Sequence, residues 1–230
     1  MKKAFTLSEV LIAVTIIGTI ASLTLPTIIN NFQQKAMLTA LNTNYVELQQ
    51  NLTFLQSERF NKGTLTKSIL SLANPASNTI DTSAGKFFED YYKATAKCGE
   101  ASTGKCFAAK YNTISGSSAN FNCNVDGREG KSILLKNESA ICIIPADMSG
   151  TTFVPAIVYI DVNGPKNPNK AGRDLFTFNI YNDFSLDEIS PEDIKNGVAR
   201  KSLDNCKTAT SPLAEGCFGQ ILENNWKMNY

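Results

Sequence analysis

Few residues in this sequence have the type and spacing to do chemistry, and they lie far apart. Glu9 is the only charged residue in the apolar stretch 5–25. A carboxylate at the centre of a membrane span costs roughly 2.5–3.5 kcal/mol on insertion scales, and such residues are usually functional. Asp161, Asn163, Asn167, Asn169 and Asp174 crowd oxygen atoms into "DVNGPKNPNKAGRD". Calcium takes its ligands from such side chains and from carbonyls, so Asp161, Asn163 and Asp174 are candidate calcium ligands. An EF-hand is excluded, because Lys166 stands where the turning glycine belongs and Gly172 where the closing glutamate belongs. The same stretch also reads as a plain hairpin connection opened by Asn163-Gly164, residues that tolerate positive φ. Lys170 and Arg173 reduce its negative charge.

Cys98, Cys106, Cys123, Cys142, Cys206 and Cys217 make an even set with no CxxC pair. That argues against a zinc or thioredoxin-like site. Behind an exported N-terminus the set reads as three disulfides in an oxidising compartment, the alternative being buried thiols in a cytosolic protein. Histidine is absent. Its absence removes the commonest general base near neutral pH, the usual partner of a nucleophilic Ser or Cys, and the commonest metal ligand. No catalytic residue is identified and an enzyme is not expected. The formal net charge of +1 gives no pull toward nucleic acid, and no basic cluster with interleaved aromatics marks a surface for one.

Stepping outward from Glu9, residues 5–25 form a helix of about 30 Å, matching the hydrocarbon thickness of a bilayer. Lys2 and Lys3 precede it, which places the N-terminus in the cytoplasm by the positive-inside rule. An ordinary signal peptide cut near Ala21 is the plainer reading. Against it stand the polar "TLSE" at the start, the length of the apolar run and a helical pattern that continues beyond it.

"KKAFTLSEVLIAVTIIG" resembles the N-terminal signature of type IV pilins and type II secretion pseudopilins. The resemblance covers about the first 30 residues. It implies a leader of residues 1–4 and cleavage between Ala4 and Phe5 by a prepilin peptidase, which also methylates the new N-terminal Phe5. Glu9 is then the fifth residue of the mature chain, and it engages an N-terminal amine during assembly. Two charges in low dielectric gain most when paired. Ala4 is a departure, since the family usually has glycine there. Pro26 stands where many members carry a proline.

Pro26 removes a backbone donor and crowds the preceding turn, so a kink or local break is expected. The helix then resumes as an amphipathic stretch over residues 26–60. Leu38, Leu41, Tyr45, Leu48, Leu52 and Leu55 recur at spacings of 3 and 4. This stripe fits a coiled coil, or better a seam laid against the chain's own head domain, residues 61–230. Gly63 marks the expected stop.

"LTKSILSLA" and "KFFEDYYKATAK" read as short helices, the second with aromatics facing a core. Residues 110–124 read as loop. "KSILLKNESAICIIPA" reads as two strands with a turn at 136–138, and "AIVYIDVNG" and "DLFTFNIY" as another pair. The expected fold is α+β: a long N-terminal transmembrane and amphipathic helix covering one face of an antiparallel sheet of about four strands, a pilin-like plan by the resemblance. "SLDEISPEDIKNG" reads as a surface excursion and "FGQILENNWK" as a last short helix. Proximity along the chain favours Cys98 with Cys106, Cys123 with Cys142, and Cys206 with Cys217, although spacing alone leaves the connectivity open.

The resemblance implies a structural subunit of a secretion pseudopilus or pilus-like filament. Its partners would be other pilin or pseudopilin subunits, the prepilin peptidase, an inner-membrane assembly platform and, before assembly, membrane lipid. The chain would cross the inner membrane once, with its head in the periplasm or on the outside of the filament. The alternatives are a membrane-tethered binding module that recognises a surface or a secreted substrate, and an anchored enzyme built on carboxylate or Ser/Lys chemistry.

Overall fold

The computed structural model describes residues 6–58, 70–72, 84–98, 104–148, 152–209, 216–228 and 230. The chain divides into two compact units, residues 1–36 and 37–230. Helix α1 (Leu7–Glu58) begins in the first and ends in the second. In the first unit it is apolar and long enough to cross a membrane. Val10, Leu11 and Ile12 are consecutive and all exposed. At about 100° per residue they point in three directions, so the apolar surface runs around the helix rather than along one stripe. Its hydroxyls turn inward: Thr15 donates to the Leu11 carbonyl at 2.7 Å, Thr19 to Ile16 at 2.9 Å, Ser22 to Thr19 at 2.8 Å and Thr24 to Ile20 at 3.0 Å. These four hydroxyls are thus satisfied within the helix, as a hydrocarbon solvent demands. Pro26 lies inside α1, with helical backbone on both sides.

In the second unit the pattern changes. Leu41, Leu48, Leu52 and Leu55 are buried, with Leu38 and Tyr45 packed at the margin. The stripe is therefore a seam against the head. Asn44 is buried in the same face, and its Oδ1 accepts from Asn137 Nδ2 at 3.3 Å.

After α1 come β1 (Ser71–Leu72), α2 (Ala84–Tyr91), β2 (Ala96–Lys97), β3 (Lys110–Asn112), β4 (Ser118–Asn120), β5 (Asn124–Val125), β6 (Arg128–Glu129), β7 (Lys131–Leu134), β8 (Ala140–Ile144), β9 (Ala146–Asp147), β10 (Ala156–Asp161), β11 (Leu175–Ile180), β12 (Leu186–Asp187), α3 (Pro191–Lys195), α4 (Leu203–Thr208) and α5 (Cys217–Glu223). The main sheet has the order β12-β11-β10-β8-β7-β2, antiparallel throughout. Its four long members, β7, β8, β10 and β11, are the strands expected from the sequence. The edge strands β2 and β12 are two residues each, too short to leave a periodic pattern, and they raise the count to six. Leu186 and Asp187 of β12 are buried, so this part of "SLDEISPEDIKNG" belongs to the sheet rather than to a surface excursion.

The long helix covers one face of the sheet, as expected, and a second layer covers the other. Strand side chains alternate. Ile141, Ile143, Val158, Ile160, Phe176 and Phe178 face α1, α2 and α5, where Phe87, Phe88 and Phe218 fill the core. Cys142, Ile144, Tyr159 and Leu175 face the other way and are covered by Phe107, Tyr111 and Phe121. Phe107 stacks on Phe121 at 4.4 Å, and Phe121 meets Tyr159 edge-on at 5.2 Å. Residues 110–124 are thus not plain loop: β3 and β4 pair and β5 starts at Asn124, because two aromatics with a hydrophobic place to go outweigh a polar composition. Ser71–Leu72 are also strand rather than helix, paired parallel with Ala146–Asp147. The rest of "LTKSILSLA" and the expected stop at Gly63 lie outside the described residues.

Three disulfides fasten the head: Cys98–Cys106, Cys123–Cys142 and Cys206–Cys217. The second ties the chain before β5 to the central strand β8.

Replacing Leu48 with Ala removes a fully buried side chain from the seam between α1 and the sheet. It is expected to lower unfolding free energy by about 2–5 kcal/mol. Replacing the adjacent exposed Gln49 with Ala should change it by no more than about 0.5 kcal/mol. Denaturant unfolding of the detergent-solubilised chain measures both.

Candidate functional site

Two places hold the sequence-derived site residues, one in each unit. In the first, Thr6 and Glu9 lock the start of α1. The Thr6 N–H donates to Glu9 Oε2 at 2.8 Å and the Thr6 hydroxyl to the same oxygen at 2.7 Å. In return the Glu9 N–H reaches Thr6 Oγ1 at 3.3 Å. This is a reciprocal capping box: it satisfies helix donors that have no partner within the helix and puts a negative charge on the positive end of the helix dipole. Its signature, Thr6-x-x-Glu9 ahead of an apolar run, is legible in the sequence. Ala4 and Phe5, the expected cleavage and modification positions, lie outside the described residues.

In the second unit, the connection between β10 and β11 spans 162–174. It is longer than a two-residue hairpin. The positive φ falls on Gly164, at 62°, on Asn169, at 50°, and on Gly172, at 79°, rather than on Asn163. A Cβ at Gly164 would lie 2.7 Å from the Glu138 carbonyl oxygen, so both torsion and space require glycine. Asp161 ends β10 on the face shared with Tyr159 and is fully buried. The Tyr111 hydroxyl donates to its Oδ2, and the Asn163 N–H to Oδ1 at 3.0 Å. Asp174 is buried as well and accepts from the Lys170 N–H. Backbone bonds hold the connection to β3: Asn112 N–H to the Asn169 carbonyl and Ala171 N–H to the Asn112 carbonyl, both 2.9 Å.

Burial dominates the titration of this pair. It drives the Asp161 pKa well above the usual carboxylate range, and the nearby Asp174 charge adds to the effect. Burial likewise raises Asp174 to about 6, against the lowering influence of backbone N–H donors. The two carboxylates come near each other, but among the described residues no three His, Cys, Asp or Glu side chains gather as a metal-binding group. Any cation here would lean on amide and carbonyl oxygens.

Sequence reasoning missed Tyr111, which sets the environment of Asp161, and Glu188. Glu188 follows β12 and accepts from the Gly216 N–H at 2.8 Å and the Phe218 N–H at 2.9 Å. It thereby fastens the start of α5 beside the Cys206–Cys217 bond. Burial raises it to about 7 despite those donors. The Asp187 carboxylate next to it is engaged by Arg200 through Nε, at 3.1 Å, and through a second guanidinium nitrogen.

A cavity of about 100 Å³ is lined by Ile157, Thr177, Phe178, Asn179, Glu188 and Lys201. A more open one of about 390 Å³ is lined by Phe153, Tyr181, Asp183, Ser190, Glu192 and Lys195. Asp161 and Asp174 line neither of them. Comparison with protein families, with curated proteins and with solved structures finds no match for this chain.

Glu188 generates a pH prediction. Its folded pKa, about 7, exceeds its unfolded value of about 4.5. The folded state therefore holds the extra proton between those values. The stability linked to that proton is fully present below pH ~4.5 and is lost as pH rises through ~7. In Glu188→Gln the fall in melting midpoint between pH 5 and pH 8 should be shallower than in the unmodified chain. Thermal melts at matched ionic strength measure the difference.

Proposed function

We propose that this chain is a structural subunit of a filament of the type IV pilus or type II secretion pseudopilus kind, anchored in the inner membrane and released into the filament through its N-terminal helix. The observation that carries the reading is the first part of α1. It is apolar around its circumference, satisfies its own hydroxyls, and begins with a charged residue. A lipid-facing helix needs the first two properties and gains from the third only the capping box at its start. A helix that leaves lipid for a bundle of like helices can use all three, because a buried charge at one position fixes register.

On this reading a prepilin peptidase cuts between Ala4 and Phe5 and methylates Phe5, and the new amine of one subunit meets Glu9 of another. The lysines stay on the cytoplasmic side and the disulfide-bonded head lies in the periplasm or on the filament. Disulfides support that side, since they persist in oxidising compartments. An inner-membrane assembly platform would supply the force for extraction. The chain's work is then assembly rather than catalysis.

Intact-mass analysis of the chain purified from membranes tests the cut. The expected mature start is methylated Phe5, and a start at Met1 or near Ser22 refutes it. Glu9→Gln and Glu9→Ala separate the two roles of Glu9. Glutamine keeps an acceptor for Thr6 and loses the charge. Both variants should still insert in the membrane, and both should lower filament yield at least tenfold in sheared-filament assays. Only alanine should also weaken the start of the helix. Normal filaments from Glu9→Gln would refute the charge-pairing role.

A further inference from the structure

The more open cavity of the head, about 390 Å³, has no part in the filament reading. Its size is that of a small-ligand site, roughly 300–1,000 Å³. One side of it is the turn from β11 to β12. There the Tyr181 N–H donates to the Ser185 carbonyl at 3.0 Å, and the Ser185 N–H donates to Asp183 Oδ1 at 3.0 Å. The other side is the start of α3, which Ser190 caps by accepting from the Asp193 N–H at 3.0 Å. The chain's own bonds hold both sides, so the cavity is formed before any ligand arrives.

Its lining is of two kinds. Phe153 and Tyr181 supply carbon. Phe153 packs on the core. The Tyr181 hydroxyl donates to the Glu188 carbonyl at 3.1 Å and accepts from Asn179 Nδ2 at 3.2 Å, which leaves the ring to the cavity. Asp183, Glu192 and Lys195 supply charge. Asp183 Oδ2 and the side chains of Glu192 and Lys195 have no hydrogen bond or ion pair among the described residues. Glu192 and Lys195 stand three apart in α3, so they are neighbours on its surface.

These residues narrow the ligand. Two carboxylates oppose an anion, and Lys195 beside Glu192 offsets their pull on a cation. A wholly apolar ligand would strip water from three charges and return no hydrogen bond. A proline-rich chain brings acceptors only, and the Tyr181 hydroxyl, a donor suited to it, is committed to Glu188. A sugar ring meets every demand. It is neutral, its hydroxyls both donate and accept, and its C–H groups suit the negative face of an aromatic ring. We propose that this cavity binds one sugar residue, stacked on Tyr181 and Phe153, with hydroxyls that donate to Asp183 and Glu192 and accept from Lys195. Each of these hydrogen bonds has a charged partner, which makes it a strong one. The inference is independent of the filament reading, and either stands without the other.

Saturation-transfer NMR tests it on the full-length chain in a detergent without a sugar headgroup. Glucose, galactose, mannose and N-acetylglucosamine are the probes, with a polyproline peptide for comparison. At least one sugar should bind saturably, with a Kd on the order of 1 mM, and receive most transfer on its ring C–H protons. Glu192→Ala and Lys195→Ala are exposed changes that should leave the melting midpoint within about 2 °C. Combined, they should weaken sugar binding at least tenfold. Tyr181→Leu should abolish it, and the double variant decides the case if Tyr181→Leu fails to fold. No saturable binding of any of the four sugars, or binding unchanged in the double variant, overturns the site. Saturable binding of the polyproline peptide alone overturns its assignment to sugar.

Discussion

A sheet covered on both faces has no polar side, and the head of this protein is organised by that constraint. All five residues of β8 are buried, and β10 is buried at every position but one. Polar groups can leave such strands only at their ends. Asp161 sits at one of those ends and is still inside. A carboxylate there needs donors, and Tyr111 and the Asn163 amide supply them. Those donors come from the covering layer and from the connection, so one buried acid ties three parts of the chain together. The second layer therefore does more than hide apolar surface. It completes the hydrogen bonding of the strand beneath it.

The same helix answers to two solvents. From Leu7 to Phe32 its large apolar residues are exposed on every side, whereas beyond Met37 the apolar residues other than the exposed Val46 and Phe54 gather on one face and meet the core. A helix exposed and apolar all round is unstable against aggregation in water and comfortable in lipid or in a helix bundle. A striped helix requires a partner surface, and the sheet supplies it. The change in periodicity, more than total hydrophobicity, divides the part of the helix fit to span a membrane from the part that packs on the sheet.

Periodicity also explains what the sequence made legible. The four long strands, the α1 seam and the aromatic face of α2 all repeat over enough residues to declare themselves, and the structure has them. The two-residue strands β2 and β12 cannot do so. Residues 110–124 misled for another reason: their Ser, Asn and Gly content says loop, and only Tyr111 and Phe121 indicate a buried surface. Whether those two aromatics find a core depends on residues far along the chain, at Tyr159 and Asp161. The oxygen-rich connection was visible by composition, yet which oxygens lack donors was not. That depends on amide orientations set by carbonyls of Lys166 and Asn167, and no spacing rule carries such information. Thr6 and Glu9 are the opposite case, a fully local motif that was legible but overshadowed by the charge it contains.

Glu9 and Asp161 pose one physical problem in two settings. Asp161 is a carboxylate that its packed core cannot hydrate, and Glu9 becomes one on the filament reading, in lipid. In both, donors from the chain itself reach the carboxylate, a threonine in one case and a tyrosine in the other. Hydrogen bonds improve the local energy of an anion but do not neutralise it. In a medium of low dielectric the remaining charge still has to change protonation or find a cation. Asp161 has the first route open, since its burial favours the protonated form. Glu9 sits at the mouth of a helix whose positive dipole end offsets part of its charge, and the proposed amine of a neighbouring subunit would supply the rest. On the filament reading the two acids differ in consequence: protonation settles Asp161 within one chain, whereas a cation that belongs to another molecule makes assembly the condition for neutralising Glu9.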